Sequence, residues 1–148
     1  MDETLLWKIR AFVYSHFANT TQPPSVGETA SHFALTHDEV AAAYDELHRR
    51  HALFLKPGMP DILMANPFSG VETSFKVYAN NKTYFANCAW DSLGIPAALQ
   101  VDVVIEASCA QTEDLIRLRI SDQQIQNSNA LVHFLIPFRD WYDDLVFT

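Results

Sequence analysis

The segment Tyr84-Phe85-Ala86-Asn87-Cys88-Ala89-Trp90-Asp91-Ser92-Leu93-Gly94-Ile95-Pro96-Ala97 holds the residues best suited to chemistry. Asn87 is of a type that caps helix N-termini, which places Cys88 in a first helical turn. Backbone N–H groups and the helix dipole there favour a thiolate and lower the thiol pKa. Cys88 and Asp91 stand three residues apart, so they share one helix face. A soft sulfur beside a carboxyl can bind a soft electrophile or metal while the carboxyl moves a proton. The same spacing also fits a buried structural cysteine next to a solvated aspartate, and C-x-x-D alone does not separate the two.

The other candidates have plainer readings. Cys109 falls at a strand end before a turn and reads as a small buried hydrophobe. His133 lies in an apolar stretch and reads as a satisfied core histidine. Phe134, Phe138, Trp141, Tyr142 and Phe147 form an aromatic group suited to a core or a subunit contact. Asp140, Asp143 and Asp144 read as a solvated acidic turn, with a weak cation site as the alternative. Arg49 and Arg50 close a helix whose C-terminal dipole they neutralise.

The elements that must position these residues fall in two regions. Up to about Gly70 the pattern is helical. Leu5, Leu6, Ile9, Phe12, Val13 and Phe17 recur at helical spacing and predict a helix over 4–18. Ser25 with Glu28, and Thr36 with Glu39, have capping-box spacing and open two more helices. The first of these carries Val26, Ala30 and Phe33. The second carries Val40, Ala43, Tyr44 and Leu47 and ends near Arg50. Strand signals at 52–55 and 62–64 flank a turn at 56–61. Three helices followed by strand, turn and strand make a winged-helix pattern.

The second region, 71–148, is β-rich. Strands are predicted at 75–78 and 83–86, joined as a hairpin through Ala79-Asn80-Asn81-Lys82. A short helical segment over 88–99, interrupted by Gly94 and Pro96, comes next. Strands follow at 101–108, 115–121 and 131–136. Leu145-Val146-Phe147 reads as the start of a strand at the chain end. An apolar strand edge is a template for pairing, so self-association, a homodimer in the simplest case, is expected there. The fold class is therefore α+β: a winged-helix-like three-helix module over 1–70, then a mixed, β-rich core with short helices over 71–148.

Composition bounds the partners. The chain has 148 residues, 49% hydrophobic and 19% charged, which is globular rather than disordered. Two Cys and no C-x-x-C argue against a disulfide scaffold or a structural zinc site. No apolar run approaches the ~20 residues of a membrane span, and Met1-Asp2-Glu3 is acidic where a signal peptide is basic. A cytoplasmic protein with reduced thiols and no membrane partner is expected. The formal net charge of −8 disfavours nucleic acid as a partner.

With the residues in view, the chain resembles the organomercurial (alkylmercury) lyases. The stretch Tyr84 to Ala97, followed by Val103-Val104-Ile105-Glu106-Ala107-Ser108-Cys109-Ala110-Gln111-Thr112, resembles the core of that family in order and type. An aromatic-rich strand precedes a Cys-Ala-x-Asp helix start and a Pro-Ala step, and a strand ends in Ser-Cys-Ala. The family also carries a small helical module before its core.

The resemblance implies an activity: protonolytic cleavage of a carbon–mercury bond, giving a hydrocarbon and Hg(II). It implies Cys88 as a catalytic thiolate ligand to mercury. Asp91 is implied as the proton-transfer group and a further contact to the metal. Cys109 matches a cysteine regarded as structural. No organic cofactor is implied; the partners are an organomercurial or another soft-metal ligand, and low-molecular-weight thiols that release the metal. The family's second catalytic cysteine follows a strand resembling residues 131–137. Its place falls at or just after Thr148, where this sequence stops, so half of the thiol pair is present and the core is expected to be incomplete at that end.

Two alternatives stand beside the lyase. One is a non-catalytic metal- or thiol-binding relative. The other is a winged-helix transcriptional regulator with a ligand-sensing domain. Residues 1–70 hold five basic residues against eight acidic ones, a net charge of −3 and the wrong sign for gripping phosphates. Duplex DNA should therefore not be bound tightly. A gel-shift titration checks this, and tight binding that weakens steeply with salt would restore the regulator.

Overall fold

A computed structural model describes residues 2–109, 111–126, 128–134 and 136–142. The chain divides into two compact units, Met1–Glu72 and Thr73–Thr148. Among the described residues no helix is long and apolar enough to cross a membrane.

The first unit opens with α1, Glu3–Thr20, capped by Asp2, whose carboxylate accepts the Leu5 N–H at 3.1 Å. Its buried stripe is Leu6, Ile9, Val13 and Phe17, the 3.6-residue spacing of an amphipathic helix. The helices α2, Val26–Phe33, and α3, His37–Arg49, both begin with complete capping boxes. Ser25 Oγ accepts the Glu28 N–H at 3.2 Å, and Glu28 Oε2 accepts the Ser25 N–H at 2.8 Å. Thr36 and Glu39 repeat this with 3.2 and 2.8 Å. The stripe Val40, Ala43, Tyr44 and Leu47 of α3 is buried as its spacing predicts. On α2 the buried residues are Thr29 and Ala30, while Val26 and Phe33 are only half-buried.

Three short antiparallel strands complete this unit: β1, Phe54–Leu55, β2, Ile62–Ala65, and β3, Phe68–Ser69. The last has no sequence signal beyond two residues. Phe68 stacks on Phe17 with centroids 5.4 Å apart, which ties the strands to α1. Gly70 is required by close approach: a Cβ there would meet the Ile62 carbonyl oxygen at 2.9 Å. Arg49 and Arg50 are held by acids of their own unit. Arg49 pairs with Asp45 at 3.3 Å and with Glu46, and Arg50 pairs with Glu3 at 2.7 Å and Glu46 at 2.6 Å.

The second unit is one antiparallel sheet with a helix on it. The strands are β4, Phe75–Ala79, β5, Lys82–Ala86, β6, Val103–Ser108, β7, Leu115–Ser121, and β8, Gln124–Gln126. Their order is β5-β4-β6-β7-β8. Asn80 and Asn81 join β4 to β5 with φ of 50° and 61°, the pair of left-handed residues a tight hairpin needs. The helix α4, Ala89–Leu99, covers β4, β5 and β6. Alternation places Val77, Ala79, Tyr84, Ala86, Val103 and Ile105 in the core, where Ile95 of α4 is also fully buried.

Three expectations are corrected. Gly94 and Pro96 do not interrupt the helix, which runs on to Leu99. Burial of Ile95 and Pro96 outweighs the poor intrinsic propensity of the segment. Residues 131–134 and 136 are not in a strand, and Leu131 is 93% exposed. An apolar run of that length does not specify a strand without a neighbour to pair with. His133, correspondingly, is exposed rather than a core residue. The predicted strand start at 145–148, Phe147, Asp143 and Asp144 lie outside the described residues.

The first unit contains one fully buried polar pair, Thr29 Oγ1 and Tyr44 Oη, 2.6 Å apart. Burial pushes the Tyr44 phenol up to about 12, so it stays neutral and able to donate. Tyr44→Phe or Thr29→Val alone should each cost about 1–3 kcal/mol, because one hydroxyl is left buried without its partner. The double variant should cost less than the sum. Urea denaturation of the four proteins measures the coupling, and simple additivity would show that the two hydroxyls act independently.

Candidate active site

The corner between β5 and α4 is fixed from both sides. On the strand side Ala86 pairs with Phe75, and its carbonyl accepts the Thr73 hydroxyl at 2.6 Å. On the helix side Ser92 N–H bonds the Cys88 carbonyl at 3.0 Å, and Ser92 Oγ, almost wholly buried, donates to the Ala89 carbonyl at 2.7 Å. Asn87 and Cys88 lie between these anchors.

The N-cap of α4 is Cys88, not Asn87. Cys88 has extended backbone, with φ −151° and ψ 177°, and its Sγ accepts the Asp91 N–H at 3.5 Å. The Trp90 N–H also favours the thiolate. Sulfur thus does what a serine or threonine oxygen does at an ordinary cap. Asn87, one residue earlier, donates from Nδ2 to Asp91 Oδ2 at 3.3 Å. The Asp91 carboxylate also lies near enough to the Cys88 thiol for each to shift the other's pKa. Asn87, Cys88 and Asp91 are therefore linked in one set, Asn87 to Asp91 through side chains and Asp91 to Cys88 through the Asp91 backbone N–H.

The electrostatics differ from the expectation of a lowered Cys88 pKa. Burial pushes the Cys88 thiol up, and the neighbouring Asp91 charge adds to this, outweighing the N–H groups of Asp91 and Trp90. Burial also pushes the Asp91 carboxyl up, against the opposing bonds from Asn87 and Cys88. A protonated thiol next to a partly desolvated carboxylate is a donor–acceptor pair across which one proton can pass.

Cys109 follows β6 and is half-exposed, not the buried hydrophobe its position suggested. Its N–H bonds the Asp114 carbonyl at 2.8 Å, and its carbonyl accepts the Glu113 N–H at 2.9 Å, closing the β6–β7 turn. The Thr112 side chain, then the Gln111 and Thr112 N–H groups, hold its thiol below the usual range. Both cysteines are free thiols. Among the described residues no three His, Cys, Asp or Glu side chains gather where they could hold a metal ion.

A cavity of about 240 Å³ adjoins the same helix. Ala89 and Ser92 line it from α4, with Phe75, Ile105, Ile116 and Leu118 from the sheet. Sequence reading missed it, because its walls are largely half-buried or exposed apolar residues drawn from α4, the sheet and the segment after β8, which no local pattern brings together. Trp90 is 58% exposed and lies 6.1 Å from Phe134, which stacks on Trp141 at 5.1 Å. Asp140 sits in a single 3₁₀ turn, Phe138–Asp140.

Mixed helices and an antiparallel sheet define the class of fold, α+β. The alkylmercury lyase family model matches residues 68–148, and the chain belongs to that family. Among solved structures the chain is similar to the mercury-bound form of MerB2, with a TM-score of 0.62 and 18% identity over 86% of this chain and 68% of that one. At that identity the likeness is one of fold. No curated protein matches the chain.

The two thiols should separate by pH. Cys109, with its lowered pKa, should react faster than Cys88 with iodoacetamide at pH 7. Raising the pH should narrow the gap as Cys88 begins to ionise. Peptide mapping after timed labelling measures both rates. Faster labelling of Cys88 at neutral pH would mean that the helix N-terminus dominates over burial.

Proposed function

We propose that the protein cleaves carbon–mercury bonds of organomercurials by protonolysis, with Cys88 as the sulfur ligand and Asp91 as the proton-transfer group. The observation that carries this reading is the placing of Cys88 and Asp91 together at the start of α4, where Sγ of Cys88 accepts the Asp91 N–H at 3.5 Å, in the segment the lyase family model covers. The organomercurial is a soft electrophile, which sulfur prefers over oxygen or nitrogen donors.

The steps follow from the pair. As Sγ of Cys88 bonds mercury, the thiol proton passes to Asp91. The carboxyl then delivers that proton to the mercury-bound carbon as the carbon–mercury bond breaks. The hydrocarbon leaves with the bond's electron pair and the proton, and Hg(II) remains on sulfur. A low-molecular-weight thiol supplies the second sulfur ligand and carries the metal away. Desolvation favours this sequence, since a raised pKa lets the buried carboxyl take up the thiol proton and hold it until it is delivered to carbon. The cavity that Ala89 and Ser92 line on the same helix, which neither Cys88 nor Asp91 lines, is the nearest space for an organic group.

We read the first unit as a winged-helix-like module that serves the core rather than DNA. Its Arg49-Arg50 pair is engaged by acids, and its charge is negative.

Gas chromatography of benzene released from phenylmercury, with excess thiol present, tests the reading. The wild type should release benzene, and Cys88→Ser should release none above the uncatalysed rate. Asp91→Asn should be slower by roughly 10²- to 10⁴-fold, the usual contribution of a positioned acid–base group, while still binding Hg(II). Hg(II) binding without hydrocarbon release in the wild type would make the protein a non-catalytic relative. Unchanged Hg(II) affinity in Cys88→Ser would reject the site.

A further inference from the structure

We propose that Asn87 is a positioning residue, fixing the Asp91 carboxylate in the orientation that meets the Cys88 thiol. This rests on the reading that Cys88 and Asp91 are the reacting pair.

The molecule contains its own comparison. Three of its helices begin with a cap residue followed three positions later by an acid: Ser25 with Glu28, Thr36 with Glu39, and Cys88 with Asp91. In the first two, the acid turns back and accepts the backbone N–H of its cap residue at 2.8 Å. The cap hydroxyls donate to the same oxygens, Ser25 Oγ at 2.7 Å and Thr36 Oγ1 at 2.9 Å. Those carboxylates are committed to holding the helix start.

In α4 the same position is used differently. The acid is shorter by one methylene, and its Oδ2 accepts from the Asn87 side-chain amide at 3.3 Å. An amide has two N–H donors and no charge, so it can hold a carboxylate without neutralising it as an arginine would. It also leaves the carboxylate's remaining lone pairs for the thiol. Asn87 is delivered rigidly, since the strand before it is tied through Ala86 and the helix after it through Cys88 and Ser92. A short side chain on a fixed corner has few rotamers to lose, which suits a group that must orient a reacting atom.

Two measurements test this on the full chain. The first is a double-mutant cycle on the alkylation rate of Cys88, using wild type, Asn87→Ala, Asp91→Ala and the double variant. If Asn87 acts through Asp91, Asn87→Ala should change the Cys88 rate by about threefold or more with Asp91 present and leave it unchanged in Asp91→Ala. The same change in both backgrounds would overturn the proposal. The second is steady-state benzene release, where Asn87→Ala should lower kcat about 10- to 100-fold and leave KM within about twofold. A variant with wild-type kcat would also overturn it, as would a loss confined to KM.

Asn87→Ser, too short to reach Asp91 but kinder to the corner, replaces Asn87→Ala in both measurements if the latter melts early by circular dichroism. Should the wild type release no benzene, the lyase reading fails, and the alkylation cycle still decides the role of Asn87.

Discussion

The second unit depends on how the backbone of α4 begins. Four N–H groups at any helix start lack partners within the helix, and something must accept from them. Here a sulfur does so, with Sγ of Cys88 taking the Asp91 N–H. Sulfur is a weak acceptor, and the bond is long at 3.5 Å. The corner is held instead by its surroundings: the β5 pairing, the Thr73 hydroxyl on the Ala86 carbonyl and the buried Ser92 hydroxyl on the Ala89 carbonyl. Because those bonds carry the geometry, the Asp91 carboxylate is released from the structural duty that Glu28 and Glu39 perform in the first unit, and Cys88 caps only weakly.

Burial then sets the chemistry. A thiol at a helix start in water would ionise readily, but Cys88 is desolvated and faces a carboxylate, so its proton is retained. Cys109 shows the opposite environment, an open turn with donors around the sulfur and little burial. Two cysteines in one sheet unit are thus tuned in opposite directions by position alone. In the proposed protonolysis, which consumes one proton for each bond broken, the proton retained on Cys88 would be the one delivered.

Much of this was legible in the sequence, for identifiable reasons. The capping boxes of α2 and α3 were readable because S/T-x-x-E is a local device with local energetics. The stripe Val40, Ala43, Tyr44, Leu47 was readable because period 3.6 survives in tertiary structure. The Asn80-Asn81 hairpin was readable because few residues tolerate two left-handed conformations in a row. The juxtaposition of Cys88 and Asp91 followed from spacing, but the cap itself was placed one residue early, since asparagine is the better cap by type. Burial, and with it the direction of the Cys88 pKa, depends on strands distant in sequence and could not be read locally. The apolar run at 131–136 misled for the same reason: a strand exists only where a partner edge receives it.

The α4 cap also bears on how this site persists. By the criterion of helix stability, Cys88→Ser is an improvement, since oxygen is the better acceptor at an N-cap and the two side chains differ by one atom. Asp91 lengthened to glutamate would complete the capping box found twice elsewhere in the chain. The fold therefore lies one or two substitutions from a better-capped form of itself that lacks the thiol–carboxylate pair. Selection for stability alone would draw it there, so cysteine and aspartate at this corner stand against a continuous thermodynamic gradient.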